Sequence, residues 1–307
     1  MKKKVILTII GALFIFNALF AQKTIQEWAD MDDKQFSKGF QYLNTLVHLK
    51  TSVNKGWISA DEVQIPQRIG LLSYSLIQPT ATDKNAYSIY TPYLTDAGTG
   101  YVLDALAVPA QQGVTTAFKS KGINLLTPER YCDTPEKKKI FDETEFEMSG
   151  LLKFASKLAE NLRSRQGVDD PKGYVGKFIV VVSDPKVYRA IGAFTKQMDM
   201  DGMIILEQTV NFDGKVLTLG QGVMSLVGAN PTAQSEKVSY APVGPLKGYI
   251  EGFVYGQVTF TPKPFVLATF KKKDMKWNDI NGLETVNKRL ADNLIEYIEE
   301  ELAKAKK

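Results

Sequence analysis

Stretches of this chain with apolar residues at every third or fourth position alternate with stretches of period two, and each change of period marks a predicted element. Residues 5–20 form an apolar run that includes only Thr8 and Asn17 as polar side chains. Residues 22–53 are mostly polar, with Phe36, Phe40, Leu43, Leu46 and Val47 at helical spacing, which predicts one amphipathic helix. Residues 54–67 read as a loop around Gly56 and Pro66. Residues 68–77 (RIGLLSYSLI) predict a strand bounded by Pro66 and Pro79. Residues 78–100, rich in Thr, Pro, Asp, Gly and Tyr, predict a long loop. A helical pattern over 102–119, broken or started near Pro109, closes at Gly122, and 123–126 predict a short strand. If its two strands are parallel, this strand–helix–strand unit crosses over right-handed.

A second helical region covers 133–166. It opens on Asp133-Thr134-Pro135-Glu136 and carries Met148, Leu151, Leu152, Ala155, Leu158 and Leu162 on one side. After a turn over 167–173, residues 178–182 read as a buried strand and 185–198 as a helix with Val187, Ile191 and Phe194 as its stripe. Extended segments follow at 203–210, 215–227 and 248–270. Pro262 and Pro264 interrupt the last one, which points to an edge strand or to two strands. A C-terminal helix capped by Asn281 and Glu284 carries Leu283, Val286, Leu290, Leu294, Ile298 and Leu302 on one face. The sum is an α/β (or α+β) fold, a mixed β-sheet with helices packed on it. The domain reading is a leader over 1–21, an N-terminal helical appendage and loop over 22–67, and a single α/β domain over 68–307.

Charge changes the picture at the N-terminus. Lys2, Lys3 and Lys4 precede the apolar run and Ala21 follows it, which is the pattern of a secretory signal peptide. The run is shorter than the roughly 20 apolar residues of a spanning helix. Cleavage after Ala21 lowers the formal charge from +4 to +1 as three lysines leave. A nearly neutral protein has no global field for nucleic acid or an anionic membrane. Cys132 is the only cysteine, so intramolecular disulfides and attachment of a lipid near residue 21 are both excluded. Its expected place is shielded beside Tyr131.

The segment Tyr188-Arg189-Ala190-Ile191-Gly192, followed by Met200-Asp201-Gly202-Met203-Ile204-Ile205-Leu206, sets a helix, an acidic small-residue turn and an apolar strand in sequence. Together with the order of elements in 68–302, it resembles the periplasmic α/β domain of the curli-export lipoprotein and the TolB N-terminal domain. The resemblance implies a non-enzymatic envelope role through protein contacts. The lipidated cysteine of the curli-export protein has no counterpart here, and the resemblance assigns no site residues.

Candidate chemistry is sparse. Gln197, Asp199, Asp201, Gly202 and Gln208 fall on calcium-loop positions, but the first and twelfth lack carboxylates. A helix-to-strand turn with positive φ at Gly202 is the reading adopted, with no metal and no cofactor. Gly220-Gln221-Gly222 has Ser225 where a phosphate loop needs its third glycine, and reads as a bulge or hairpin bend. His48 is the single histidine, so two-histidine zinc chemistry is excluded. Asp142, Glu143, Glu145 and Glu147 could supply the paired carboxylates of glycoside hydrolysis, but they suit the start of a helix equally well.

Tyr87, Tyr90, Tyr93 and Tyr101, interleaved with Ser, Thr, Pro and Gly, are the candidate binding residues, because a phenol offers a broad apolar face with a polar tip. The resulting expectation is an exported, non-enzymatic protein of the periplasm or outer-membrane face. It would bind a protein or glycan of the cell envelope, and not nucleic acid, through this loop and an exposed sheet edge. Two alternatives stand: a secreted carboxylate-dependent hydrolase, and an export or assembly component that oligomerises in the membrane through the strands of 248–270.

Overall fold

The structure is a computed structural model that describes residues 24–44, 63–77, 96–146, 172–177, 179, 185–212, 214–229, 252–262, 265–271, 274–278 and 280–306. The expected leader, most of the 78–100 loop, the stripe from Met148 to Leu162, His48 and nearly all of the 178–182 strand lie outside these residues.

The N-terminal segment differs from the single helix its spacing predicts. Helix α1 (Ile25–Ala29) opens on a capping box in which Thr24 and Glu27 satisfy each other's backbone N–H groups. Helix α2 (Asp33–Gly39) follows, with Asp32 Oδ1 accepting from the Gln35 N–H at 2.8 Å. Strand β1 (Phe40–Asn44) then pairs antiparallel with residues 258–262, Phe40 opposite Pro262. Phe36, Phe40 and Leu43 fit a helical stripe, but backbone pairing with a distant strand overrides that local preference. Ile25, Trp28 and Phe36 are buried in the same core as the rest of the chain.

Strand β2 (Arg68–Ile77) forms where its apolar run predicts. Helix α3 (Asp96–Ser120) runs through Pro109 rather than breaking there, and packs along the C-terminal helix, which compensates for the lost backbone bond. Gly122, at φ +75°, turns the chain into β3 (Asn124–Leu126), parallel to β2. Helix α4 (Pro128–Tyr131) leads to α5 (Pro135–Glu143), where the Thr134 hydroxyl accepts from the Lys137 N–H as N-cap. Strand β4 (Lys172–Gly176) had no clear signature. Only five residues long and exposing Tyr174 and Val175, it pairs antiparallel with the second half of β2.

Helix α6 (Pro185–Gln197) buries Val187, Ile191 and Phe194, as its stripe predicts. Three strands then form a meander: β5 (Gly202–Phe212), β6 (Val216–Ala229) and β7 (Gly252–Pro262). β5 is parallel to β2, and each later strand is antiparallel to the one before. The 248–270 segment divides at its prolines into β7 and β8 (Phe265–Lys271). β8 pairs with β6 and with β9 (Asp274–Trp277). Helix α7 (Leu283–Ala305) ends the fold. Its N-cap is Gly282, with no side-chain cap bond, rather than the expected Asn281–Glu284 pair.

The described strands form one mixed sheet in the order β1-β7-β6-β5-β2-β3, and consecutive residues of β2 and β5 are buried, so both faces are covered. On one face Tyr74, Leu206, Met224 and Val258 form a cross-strand row beneath α7. Gln208 on that face donates to Asn287 of α7 at 3.3 Å and accepts from the Tyr74 hydroxyl at 2.9 Å. On the other face Gly70 and Met203 meet Tyr131, whose ring leads through Phe141 to Phe194 of α6, with Phe146 edge-on against it. Helices α4 to α6 therefore cover the side opposite α7. Among the described residues no helix is long and apolar enough to cross a membrane.

Candidate functional site

Of the four candidate tyrosines, Tyr87, Tyr90 and Tyr93 lie outside the described residues. Tyr101 sits on the second turn of α3, not in a loop, and is 53% exposed. Its ring stacks on Trp277 of β9, with centroids 5.8 Å apart and planes inclined by 25°. The indole Nε1–H donates to the Tyr101 hydroxyl at 3.3 Å. Two helical turns on, Val108 is 57% exposed on the same side of α3.

Trp277 is the partner that sequence reasoning missed. It stands 176 positions from Tyr101, and only the β8–β9 pairing, which sets Trp277 opposite Ala268, brings it there. A stacked phenol–indole pair with one exposed face can pack against the C–H face of a sugar ring or an apolar peptide side chain.

The other sequence candidates have structural partners. Asp199, not Gly202, carries the positive φ, at 57°, and its carboxylate pairs with Arg68 at 3.0 Å. Asp and Asn tolerate this left-handed conformation better than most side chains. Asp201 Oδ2 accepts from the backbone N–H groups of Gln67 and Arg68 at 3.1 and 2.8 Å. Gly202 and Gln208 lie in β5, so the would-be loop is a turn and a strand. Among the described residues no cluster of three His, Cys, Asp or Glu side chains could hold a metal.

The second glycine motif is a bulge, as its spacing predicts. Gly220 and Gln221 of β6 face the single residue Thr209 of β5, whose hydroxyl donates to the Gln221 carbonyl at 2.9 Å. Cys132 is partly shielded. Burial and the nearby carboxylates of Asp142, Glu129 and Asp133 push its thiol up, against the lesser pull of Lys137. That is the reverse of an activated thiolate. Asp142, Glu143 and Glu145 are exposed, and Glu147 lies outside the described residues. Lys177 reaches over the Phe141 ring at 4.6 Å and donates to the Asp142 carbonyl at 3.3 Å, and its burial pulls the ammonium down.

Fold and site together define a mixed α/β protein whose sheet is covered by helices on both faces and whose described residues include the exposed Tyr101–Trp277 stack. No family model, no curated protein and no solved structure matches the chain.

Proposed function

We propose that this chain is an exported, non-enzymatic protein of the cell envelope that works by binding a protein or glycan partner. The observation that carries the reading is the exposed Tyr101–Trp277 stack, a flat apolar surface with a polar edge. Tyr87, Tyr90 and Tyr93, a few residues before α3 in the chain, are further candidate binding residues by sequence. Export follows from the lysine-led apolar leader of residues 1–21. Helix α6, the Asp201–Gly202 turn and β5 form the local pattern that resembles the periplasmic domains named above.

The test is capture by the immobilised mature chain from two separated pools, solubilised envelope proteins and purified envelope polysaccharide. One pool should be enriched. Replacing Tyr101 and Trp277 by alanine should cut that capture by at least about tenfold, the scale of a well-placed aromatic contact, with the unfolding midpoint moved little. Equal capture by parent and double variant would overturn the reading.

A further inference from the structure

Helix α2 shows how this chain holds a guanidinium. Asp33 and Phe36 stand three residues apart on α2, and Trp28 meets the Phe36 ring edge-on with centroids 6.1 Å apart. Arg289 of α7 lies over that ring at 4.9 Å and pairs through Nε with the Asp33 carboxylate at 3.5 Å. Its terminal nitrogens donate to the carbonyls of Met31 at 2.6 Å and Trp28 at 3.3 Å. Ring and carboxylate act on one cation in two ways: the π face attracts the positive charge, and the carboxylate neutralises it.

Helix α3 presents the same three kinds of group to solvent. Tyr101 corresponds to Phe36, Asp104 three residues on corresponds to Asp33, and Trp277 of β9 backs the ring as Trp28 does. The order along the helix is reversed, but residues three apart are surface neighbours in either order. Helical side chains lean toward the N-terminus, which tilts the Asp104 carboxylate back to the turn that carries Tyr101. Asp104 is exposed, and Tyr101 is 53% exposed. Among the described residues no Lys or Arg pairs with Asp104, and none lies over the Tyr101 ring. Lys276 precedes Trp277 on β9. Successive strand residues point to opposite faces, so its ammonium is directed away from the stack.

We infer that Tyr101 and Asp104 hold an arginine side chain of a partner protein, its guanidinium flat on the phenol ring and paired with the carboxylate. This rests on the reading of the Tyr101–Trp277 stack as a binding surface, and it selects a protein over a glycan. A planar guanidinium suits both groups at once, stacking on an aromatic face while its N–H fork meets a carboxylate. Val108, one turn past Asp104 and 57% exposed, gives an apolar footing to the residues beside that arginine. A neutral sugar could stack on Tyr101 but would gain no charge pairing from Asp104. Both contacts are exposed and each is weak, so one arginine by itself should bind with a Kd of about 1 mM or above.

The test is a titration of the isotope-labelled mature chain, followed by NMR at the Trp277 indole N–H, which a Trp277→Phe variant assigns. The probes are N-acetylarginine amide, its neutral analogue N-acetylcitrulline amide, and triacetylchitotriose. The arginine probe should shift the indole signal, and the citrulline probe should bind about fivefold more weakly. Asp104→Asn, an exposed change of equal size that should leave the unfolding midpoint where it is, should cut the preference for arginine to less than about twofold and remove its salt dependence. Equal binding of the two amides, an arginine preference that survives in Asp104→Asn, or no response to arginine would overturn the inference. A response to the chitotriose alone would overturn it while leaving the stack as a binding surface. So would loss of envelope capture in the Tyr101/Trp277 double variant without any arginine response. Unchanged capture by that double variant would remove the underlying reading as well.

Discussion

Two neighbouring carboxylates in the turn before β5 have opposite structural weight. Asp201 accepts two backbone N–H groups at the start of β2 and donates its own N–H to the Arg68 carbonyl at 2.9 Å, so it fastens the parallel strands at their first residues. Asp199 makes one exposed ion pair with Arg68 from a left-handed backbone. Bonds to an ionised acceptor contribute more than neutral ones, whereas an exposed ion pair contributes at most about 1 kcal/mol. Asp201→Ala should therefore lower unfolding stability by about 1–2 kcal/mol. Asp199→Gly should change it by less than about 0.5 kcal/mol, since relief of the positive φ offsets the lost pair. Urea titration of both variants checks the contrast, and equal losses would show that the two-bond clamp contributes nothing special. The acidic turn is legible in the sequence, but which of its residues takes positive φ is not, because Asp199 and Gly202 are both acceptable there.

Within α3, two glycines have opposite surroundings. A Cβ on Gly113 would overlap the Glu284 carbonyl oxygen and stand 2.8 Å from the Lys288 nitrogen, so α3 approaches α7 backbone to backbone at this point. A Cβ on Gly100 would meet nothing within 4 Å. Gly113→Ala should cost about 1–3 kcal/mol by forcing the helices apart, and Gly100→Ala should add about 0.5–1 kcal/mol through helix propensity. Denaturant midpoints decide it, and loss of stability in both variants would contradict the close approach. Elements whose pattern was strong, β2, α6, β5 and α7, formed where their periodicity placed them. Among the strands that no pattern foresaw, β1 and β4 are short and have partners far away in sequence. A five-residue segment has too few positions to show a period, and pairing with β7 or β2 supplies the backbone bonds that decide its state.

Across the whole molecule, three phenols carry a common pH signature. Burial pushes the hydroxyls of Tyr74, Tyr131 and Tyr255 well above their ordinary value of 10.0, with Cys132 and Glu129 adding to the rise at Tyr131 and Asp201 at Tyr255. The unfolded chain releases these protons near pH 10 while the native state keeps them. Their contribution is therefore fully present below about pH 10 and is lost as pH rises beyond it, at up to about 1.4 kcal/mol per pH unit for each phenol. Stability measured from neutral to strongly alkaline pH should fall steeply above about pH 10. Tyr255→Phe, which gives up only a 3.4 Å bond to the Ala229 carbonyl, should flatten that fall. An unchanged slope in the variant would mean that the phenol ionises as readily in the folded protein.

The sequence alone determined the alternation of amphipathic helices and apolar strands, the break at Pro262 and Pro264, the bulge at Gly220 and the absence of an intramolecular disulfide, because each depends on a few adjacent residues or on a count. Only the tertiary structure decided that α3 continues through Pro109, that residues 40–44 join the sheet, and that Tyr101 lies against Trp277. Each of these depends on residues tens to hundreds of positions apart. Their encounter is fixed by strand register and helix packing, which a one-dimensional pattern does not contain.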